Sequence, residues 1–306
     1  MNGRFVDLHT HSTASDGSLT PTELILAAAA SGLSGIALTD HDTGGGLMEA
    51  KAAADKAGLR FVPGIEISAE IAPPATLHLL GYFIDPESAA LQRMSTILLE
   101  GRNNRNPRIV ARLNEIGCKI TMDQVLEIAR RGNADNRAVV VGRPHIAQAL
   151  LESHCVASLK QAFDVYLGMG GTAYFDKERL TPRQAIDCIH DAGGLVILAH
   201  PVQLRAQNHA HLQHLIESLI DQGLDGVEVW HSDHRPQDSE WLLSIAKRHA
   251  LVVTGGSDFH GSRKPDIDIG LGRKNVRIPE RILDELEAAR RTRMGAGATA
   301  PVKEQI

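Results

Sequence analysis

The chain has 306 residues, of which 43% are hydrophobic and 23% charged, so a folded protein is expected and a disordered chain is excluded. A net charge of -5 argues against a surface that coats polyanions in general, although it leaves room for a local basic pocket. The apolar run 24–30 is too short to span a bilayer, and three cysteines without CxxC spacing fit neither a disulfide framework nor a cysteine zinc site. We therefore expect a cytoplasmic protein with no membrane contact and no obligate protein partner.

In chain order, short apolar runs alternate with helix-like runs, which is the pattern of parallel strands joined by crossover helices. Helix starts are marked by the TPTE run at 20–23, which combines a capping box with proline at the first helical position, and by Thr181-Pro182. Gly32 and Gly58 mark helix stops. Strands are expected at 4–8, 35–39, 60–67, 77–84, 195–199, 226–230 and 251–254.

The alternation breaks between about residues 90 and 171, where four helix-like segments follow one another at 92–117, 121–132, 143–154 and 158–167. We interpret 91–170 as a helical insertion or cap on a barrel built from 1–90 and 171–294, with 295–306 as a disordered tail. Nine basic and five acidic residues between 100 and 145 give this insertion a positive charge. The excess fits either an anionic ligand or ordinary solvated helix faces.

Fifteen histidines outnumber the six Phe, three Tyr and two Trp taken together, and many lie at the ends of predicted strands. In parallel β/α barrels the carboxyl ends of the strands open on one face, so residues distant in sequence converge there. Side chains two apart in an extended segment point the same way, which pairs His9 with His11 and Asp258 with His260. The other polar side chains at or just after these strand ends are Asp7, Ser12, Asp16, Asp40, His41, Asp42, Glu66, His200 and Ser257, and His78 lies within the fourth strand.

Imidazole and carboxylate without thiolate suit zinc, manganese or iron, and these groups exceed the four that one tetrahedral ion uses. A single histidine at a strand end is more often a hydrogen-bonded core residue, but joint occurrence at successive strand ends favours metal. His209, His211 and His214 fall on the polar side of a predicted helix and are expected to be exposed. His231, after the sixth strand, is as consistent with a catalytic role as with a structural one.

These motifs resemble the PHP (polymerase and histidinol phosphatase) family of the amidohydrolase-like barrels. The matching segments are DLHTHSTASDG at 7–17, LTDHDT at 38–43, GIEIS at 64–68, His78, AHP at 199–201 and GSDFHG at 256–261. The resemblance implies an α/β fold, a distorted seven-stranded (β/α)7 barrel of the TIM type, with a site for up to three metals.

The resemblance also assigns the ligands. It places His9, His11, Glu66 and Asp258 on a first metal, Asp16, His41 and His260 on a second, and Glu66, His78 and His200 on a third, with Glu66 bridging. Some relatives have histidine at the position of Asp16, and the extra carboxylate favours manganese or iron over zinc. Asp40 would then orient imidazoles and support catalysis.

The chemistry expected of such a site is phosphoester hydrolysis, because divalent metals lower the pKa of water and clamp phosphoryl oxygens. Ser12, Arg143, Lys177 and His231 are the candidates for binding substrate, and His231 would also protonate the leaving oxygen. For Arg143 and Lys177 the alternative is an ordinary surface cation.

Within the family, a stand-alone chain of this length with a helical insertion resembles the nucleoside 3',5'-bisphosphate phosphatases, which also act as 5'-to-3' exonucleases on short RNA. A small nucleotide, and short 5'-phosphorylated RNA, are the expected substrates. Histidinol-phosphate phosphatase is the alternative, although its zwitterionic substrate gives less reason for the basic insertion. A non-catalytic metal-binding regulatory module and amide hydrolysis are the alternatives of other classes.

Overall fold

The computed structural model describes residues 3–71, 77–131, 141–176 and 179–297, and its strands form one eight-stranded sheet. The seven predicted strands are present within a few residues of their expected bounds, and an unpredicted two-residue strand pairs antiparallel with the first. The strands are β1 (Phe5–Asp7), β2 (Gly35–Leu38), β3 (Arg60–Ala69), β4 (Leu77–Tyr82), β5 (Leu195–Leu198), β6 (Gly226–His231), β7 (Val252–Gly256) and β8 (Ile278–Pro279).

Strands β1 to β7 form a closed ring, because the chain beyond β1 pairs with the end of β7 and with the residues that follow it. Leu8 N donates to the carbonyl of Gly255 (3.3 Å), and Asp258 N donates to the carbonyl of His9 (2.9 Å). A parallel bridge between Thr10 and Phe259 extends this contact. The expected distorted seven-stranded barrel is confirmed, and β8 lies outside the ring beside β1.

One strand runs against the prediction of an all-parallel barrel. Strand β4 is antiparallel to both β3 and β5, with His78 opposite Ser68 of β3. Only residues 70–76 separate β3 from β4, and a parallel connection needs about a dozen residues or more. The reversal has a functional consequence, because it brings the amino end of β4, with His78, to the carboxyl end of β3.

Ten α-helices occur in the described ranges, and their predicted starts at Thr20 and Thr181 are confirmed by complete capping boxes. None of these helices has both the length and the apolar character needed to cross a membrane. The helices are α1 (Pro21–Ala30), α2 (Leu47–Ala57), α3 (Ala89–Glu115), α4 (Met122–Arg130), α5 (Arg143–Glu152), α6 (Leu159–Ala162), α7 (Pro182–Asp191), α8 (His209–Asp221), α9 (Pro236–Arg248) and α10 (Arg281–Gly297).

Helices α3 to α6, with a π-helical turn at Phe163–Leu167, build an apolar cluster of their own that includes Ile109 and Leu150. The first half of α3 instead packs with the barrel through Leu91 and Leu98. The apolar core of the barrel and that of the insertion therefore meet within α3, not at residue 91, where the insertion was predicted to begin. The division of the chain into barrel and insertion stays a prediction. Residues 295–297 of the predicted tail are helical, and the rest of that tail lies outside the described residues.

The barrel interior is filled below the site. Leu8 of the β1 extension and Tyr82 of β4 are fully buried there, and the Tyr82 hydroxyl donates to the carbonyl of Leu8 (2.7 Å). Leu283 of α10 belongs to the same cluster and lies against Gly35, the first residue of β2. Helix α10 therefore covers the amino ends of the strands, which leaves the carboxyl ends for the site.

Candidate metal centre

All nine predicted metal-binding side chains come together at the carboxyl-terminal end of the barrel. The loops after β1, β2 and β7 and the strand β3 supply most of them, while β4 and the turn after β5 supply His78 and His200. The cluster is largely closed to solvent, since the side chains of His41 and His78 are the most exposed at 16%.

Three imidazole nitrogens surround one oxygen of Glu66. His9 Nε2, His11 Nε2 and His41 Nδ1 lie 3.6, 3.3 and 2.9 Å from Glu66 Oε2. Although burial alone would raise the pKa of Glu66, His41, His78 and His9 hold it well below its usual range. Glu66 is therefore an ionised carboxylate facing three nitrogen ligands.

Asp16 lies near a second group of imidazole nitrogens, two of which belong to the His11 and His41 rings that also face Glu66. His260 Nε2 lies 3.3 Å from Asp16 Oδ1, and His41 Nε2 lies 3.9 Å from Asp16 Oδ2. His11 Nδ1 is 4.0 Å from Asp16 Oδ1, so His11 and His41 each face both carboxylates through opposite nitrogens. This differs from the ligand sets implied by the resemblance, which give each of these histidines to one metal.

The other oxygen of Glu66 faces a third group. Glu66 Oε1 lies 2.7 Å from His78 Nδ1 and 2.9 Å from His200 Nε2. Oε1 and Oε2 therefore face different groups of imidazoles, and Glu66 would belong to two donor sets. Its bridging of two metals stays a prediction.

The two carboxylate oxygens of Asp258 also face different groups. Oδ1 lies 3.7 Å from His9 Nε2 and 3.4 Å from His11 Nε2, whereas Oδ2 lies 2.6 Å from Lys264 Nζ and 3.4 Å from His231 Nε2. One oxygen therefore faces the ligand cluster, and the other faces two proton-bearing groups. Sequence reasoning missed Lys264, which stands in a charged stretch beyond the last motif.

Buried polar atoms without hydrogen-bond partners indicate that the side chains at this end could hold a metal. His9 Nε2, His11 Nε2, His41 Nδ1 and Glu66 Oε2 are buried, and none makes a hydrogen bond with any described residue. Buried polar atoms left unpaired are costly, so native structures keep few of them. His9, His11 and Glu66 lie close enough together to hold a metal ion, and His41, Glu66 and His78 form a second such group. Imidazole with carboxylate suits manganese, iron or zinc.

Glu228, in the middle of β6, was not among the predicted site residues. Its Oε1 accepts from His9 Nδ1 (3.0 Å), and its Oε2 accepts from the backbone N–H of His200 (2.7 Å). Burial raises the pKa of Glu228, but His9 and His231 outweigh it and lower the value to about 2. An ionised carboxylate on Nδ1 fixes the tautomer of His9 and frees Nε2 to bind a metal. The available signal was a lone acidic residue in the apolar run GVEVW.

The structure corrects the expected role of Asp40. It accepts from the backbone and hydroxyl of Ser12 (2.8 and 2.6 Å) and from the Ser15 hydroxyl (2.6 Å), with no described bond to an imidazole. Asp40 therefore holds the loop that carries Asp16 rather than an imidazole. Ser12 is fully buried with its hydroxyl donated to Asp40, which assigns it to that loop and not to substrate.

His231 lies beside the cluster with a defined tautomer. Its Nδ1 accepts from the backbone N–H of Asp233 (3.0 Å), so in the neutral ring the proton sits on Nε2, which is 3.4 Å from Asp258 Oδ2. A protonated Nε2 is a donor rather than a metal ligand. The expected role of His231 in protonating the leaving oxygen stays a prediction.

Local backbone strain marks the same region. Asp42, His200 and Asp258 have positive φ angles of 57°, 27° and 59°, which non-glycine residues seldom adopt. Such strain persists where the surrounding contacts fix it and is common at functional sites. Here each residue lies in a loop that follows a strand at the site.

Arg143 opens α5 in the insertion. Its Nη2 donates to the carbonyl of Phe175 (3.1 Å), its guanidinium lies over the Tyr174 ring, and its Nε has no described partner. Lys177, the other predicted cation, lies outside the described residues.

Two more arginines stand near Arg143. Burial and the charges of Arg143, Arg102 and Arg179 lower the pKa of Arg105 to about 9. Arg179 pairs with Asp176 (2.8 Å), and its Nε has no partner in the described ranges. We call Arg105, Arg143 and Arg179 the arginine cluster. Arg102 is not counted, because Asp42 accepts from it.

The amino-acid sequence matches the PHP domain over residues 7–287, a span that contains all nine clustered side chains. The chain belongs to the PHP domain family. A solved structure from Bifidobacterium adolescentis, described as a metal-dependent phosphoesterase, has a TM-score of 0.82 to this PHP protein at 33% identity and covers 94% of this chain and 96% of that one. The PHP barrel is thus shown by sequence and by structure.

Three curated relatives cover most of this PHP protein. It is 35% identical over 283 residues to the 3',5'-nucleoside bisphosphate phosphatase of Chromobacterium violaceum (92% of this chain, 96% of the relative). It is 33% identical over 257 residues to the phosphoribosyl 1,2-cyclic phosphate 1,2-diphosphodiesterase of Eggerthella lenta (83% and 94%). It is 34% identical over 272 residues to the 5'-3' exoribonuclease Rnm of Salmonella typhimurium (88% of each).

Proposed function

We propose that this PHP protein is a metal-dependent phosphoesterase that removes the 3'-phosphate from nucleoside 3',5'-bisphosphates. The relatives support phosphoester cleavage, and the Chromobacterium violaceum enzyme carries this substrate class in its name. Two features of the described chain carry the proposal, because each could take one phosphate: the carboxylate and imidazole cluster at the end of the barrel, and the arginine cluster.

We propose two or three divalent ions, with manganese as the preferred metal and iron or zinc as substitutes. Asp16, Glu66 and Asp258 supply three carboxylates to the donor set, which moves its preference toward manganese and iron. Bound ions supply a lowered pKa for water and charge neutralisation at the phosphoryl oxygens. Glu228 keeps His9 oriented for this task.

We propose that His231 stabilises the leaving group. The neutral tautomer of His231 holds its proton on Nε2, and that atom faces the cluster beside Asp258. This N–H donates a hydrogen bond to the ribose 3'-oxygen as the ester bond breaks and negative charge builds there. The proton that the 3'-oxygen finally carries comes from the water consumed in the hydrolysis. Lys264 Nζ, 2.6 Å from Asp258 Oδ2, adds positive charge on the same side.

The arginine cluster is proposed to hold the 5'-phosphate. Guanidinium groups present forked donors that match phosphate oxygens, and buried charges with unused donors favour an anion. In the described ranges, Arg143 Nε and Arg179 Nε are both buried without partners. Binding energy from this second phosphate would position the reacting one.

The test compares adenosine 3',5'-bisphosphate, adenosine 3'-monophosphate, histidinol phosphate and a short 5'-phosphorylated RNA with the manganese-loaded protein. The bisphosphate should have the highest kcat/KM among the small substrates. Arg143→Ala should lower that value about 10- to 100-fold, since a hydrogen bond to a charged group is lost, with a smaller loss on the 3'-monophosphate. Arg281→Ala, an exposed arginine of α10, is the control.

Two results would contradict this assignment. If the 3'-monophosphate or histidinol phosphate is hydrolysed as efficiently as the bisphosphate, the second phosphate contributes nothing. If Arg143→Ala costs the same on both adenosine substrates, Arg143 serves the reacting phosphate instead. Cleavage of the short RNA would extend the same chemistry to an oligonucleotide, as the name of the Salmonella typhimurium relative indicates for that protein.

A further inference from the structure

A cavity of about 280 Å³ lies between the helical insertion and two loops of the metal centre. We call it the interface pocket, and it is bounded by residues 17–18, residues 262–263, α4 and α5. Residues 17–18 follow Asp16 directly, and residues 262–263 come shortly after His260. The pocket is therefore a neighbour of the reacting phosphate's site.

The walls of the interface pocket differ in chemistry. Ile128 and Ala129 of α4 give it a buried apolar side. His145, Gln148 and Glu152 come from one face of α5, because they are spaced three and four residues apart. Cavities for drug-sized ligands measure about 300–1,000 Å³, so this one suits a fragment such as a flat heterocyclic ring with a polar edge.

The charges in the interface pocket argue against a phosphate. Arg131 Nη1 donates to Glu152 Oε1 (2.6 Å), so these two charges offset each other. Arg263 is the remaining arginine of the pocket lining, and its buried Nε also has no partner in the described chain. The arginine cluster gathers three guanidinium groups, and two of them keep an unused buried Nε, against one in the pocket. The 5'-phosphate has its better site there, which leaves the interface pocket for an uncharged group.

We propose that the interface pocket binds the nucleobase of the substrate and that Gln148 accepts a hydrogen bond from an amino group on its edge. This inference rests on the proposed function. Gln148 Nε2 donates to Glu152 Oε1 (2.9 Å), and because a carboxylate only accepts, the amide nitrogen must face it. No described residue donates to Gln148 Oε1, so that oxygen is free to accept from the base.

The test uses three bisphosphates that differ only in the base, with the manganese-loaded protein. They are adenosine 3',5'-bisphosphate, inosine 3',5'-bisphosphate and methyl ribofuranoside 3,5-bisphosphate, which has no base. The adenosine compound should exceed the base-free compound in kcat/KM by about tenfold or more. It should exceed the inosine compound about 2- to 10-fold, because an amino donor is replaced by a keto acceptor.

Variants of one residue separate the two parts of the inference. Gln148→Leu should bring the adenosine-to-inosine ratio to about 1, since the acceptor is gone. Gln148→Trp fills the pocket and should bring the ratio of adenosine to base-free substrate toward 1, with weaker calorimetric binding of the product AMP. Gln213→Leu is the matched control, because Gln213 makes the same amide-to-carboxylate bond to Glu217 (2.8 Å) on α8. It should leave both ratios unchanged.

Equal kcat/KM for the adenosine and base-free substrates would overturn the inference, and so would ratios that neither Gln148 variant alters. A 5'-phosphate dependence that Arg263→Ala removes and Arg143→Ala keeps would assign the pocket to phosphate and also overturn it. Failure of all three bisphosphates to release phosphate contradicts the proposed function instead. In that case calorimetry decides, because the inference requires AMP to bind more tightly than ribose 5-phosphate.

Discussion

Glu228 shows how one buried carboxylate organises several groups of this site. It accepts from the His9 ring and from the His200 backbone, so it fixes a ring and a strained turn at once. In the sequence, Glu228 is visible only as one acidic residue within an apolar strand. By contrast, the convergence of the nine predicted metal-binding side chains was readable from the sequence, because motifs such as HTH and SDFH stand at strand ends where barrel geometry forces convergence.

The first prediction concerns metal affinity. Glu228→Gln places an amide where one oxygen accepts from the His200 N–H and the other from His9, and an amide cannot do both as well. The loss of such a supporting group typically weakens metal binding about 10- to 100-fold. Competition between the protein and a chelator for manganese measures the affinity. The control is Glu285→Gln, at an exposed position of α10. An unchanged affinity would show that His9 needs no support from Glu228.

The second prediction concerns pH. Burial, with Arg263 beside it, lowers the pKa of His145 to about 4, below about 6.5 for an unfolded histidine. The folded state therefore resists protonation, so the stability this neutral ring contributes is present above about pH 6.5 and is lost as the pH falls toward 4. His145→Gln keeps an acceptor for the Gly142 N–H, as in an ordinary capping box, and removes the titration.

Between pH 7 and pH 5, metal-free wild-type protein should therefore lose about 2 kcal/mol more unfolding free energy than His145→Gln. Denaturant titration of the metal-free proteins at the two pH values measures the difference. Equal losses in both proteins would mean that His145 is not held neutral by the fold.

At the scale of elements, the alternation of strands and helices and the capping boxes were readable from the sequence because their signals are local. The direction of β4 was not, because it follows from the length of the β3–β4 connection and not from the composition of the strand. The sequence also did not show that α3 belongs to both apolar cores, because its first half packs with the barrel and its second half with the insertion.

Arg102 joins these elements, because it extends from α3 to Asp42 in the loop after β2. Its Nε donates to Asp42 Oδ2 (3.2 Å), with a second bond from Nη2, and both residues are buried. Arg102→Met removes the guanidinium from a buried ion pair, and breaking such a pair typically costs about 3–5 kcal/mol. Chemical denaturation should show this loss.

The control for Arg102→Met is Lys51→Ala, which breaks the exposed pair with Asp55 and should change the unfolding free energy by about 0.5 kcal/mol or less. Adding Asp42→Asn to Arg102→Met should recover part of the loss, since the buried charge is removed. If Arg102→Met costs no more than the exposed control, the contact does not hold the insertion to the barrel.

At the scale of the molecule, one end of the barrel carries the predicted metal-binding side chains, and the predicted insertion contributes Arg105, Arg143 and one side of the cavity beside them. The fold class followed from the sequence because the motifs occur at successive strand ends. The interface pocket and the arginine cluster did not, because they form only where α3, α4 and α5 meet the barrel loops. A substrate with two phosphates separated by a nucleoside matches this division.

The position of phosphate release tests the central claim most directly. Manganese-loaded protein is incubated with adenosine 3',5'-bisphosphate, and the products are followed by phosphorus NMR, which separates the two phosphate esters from inorganic phosphate. The account predicts inorganic phosphate and adenosine 5'-monophosphate in equal amounts, with the 5'-ester intact. Adenosine 3'-monophosphate as the product, or no release from a protein shown to contain its metals, would contradict it.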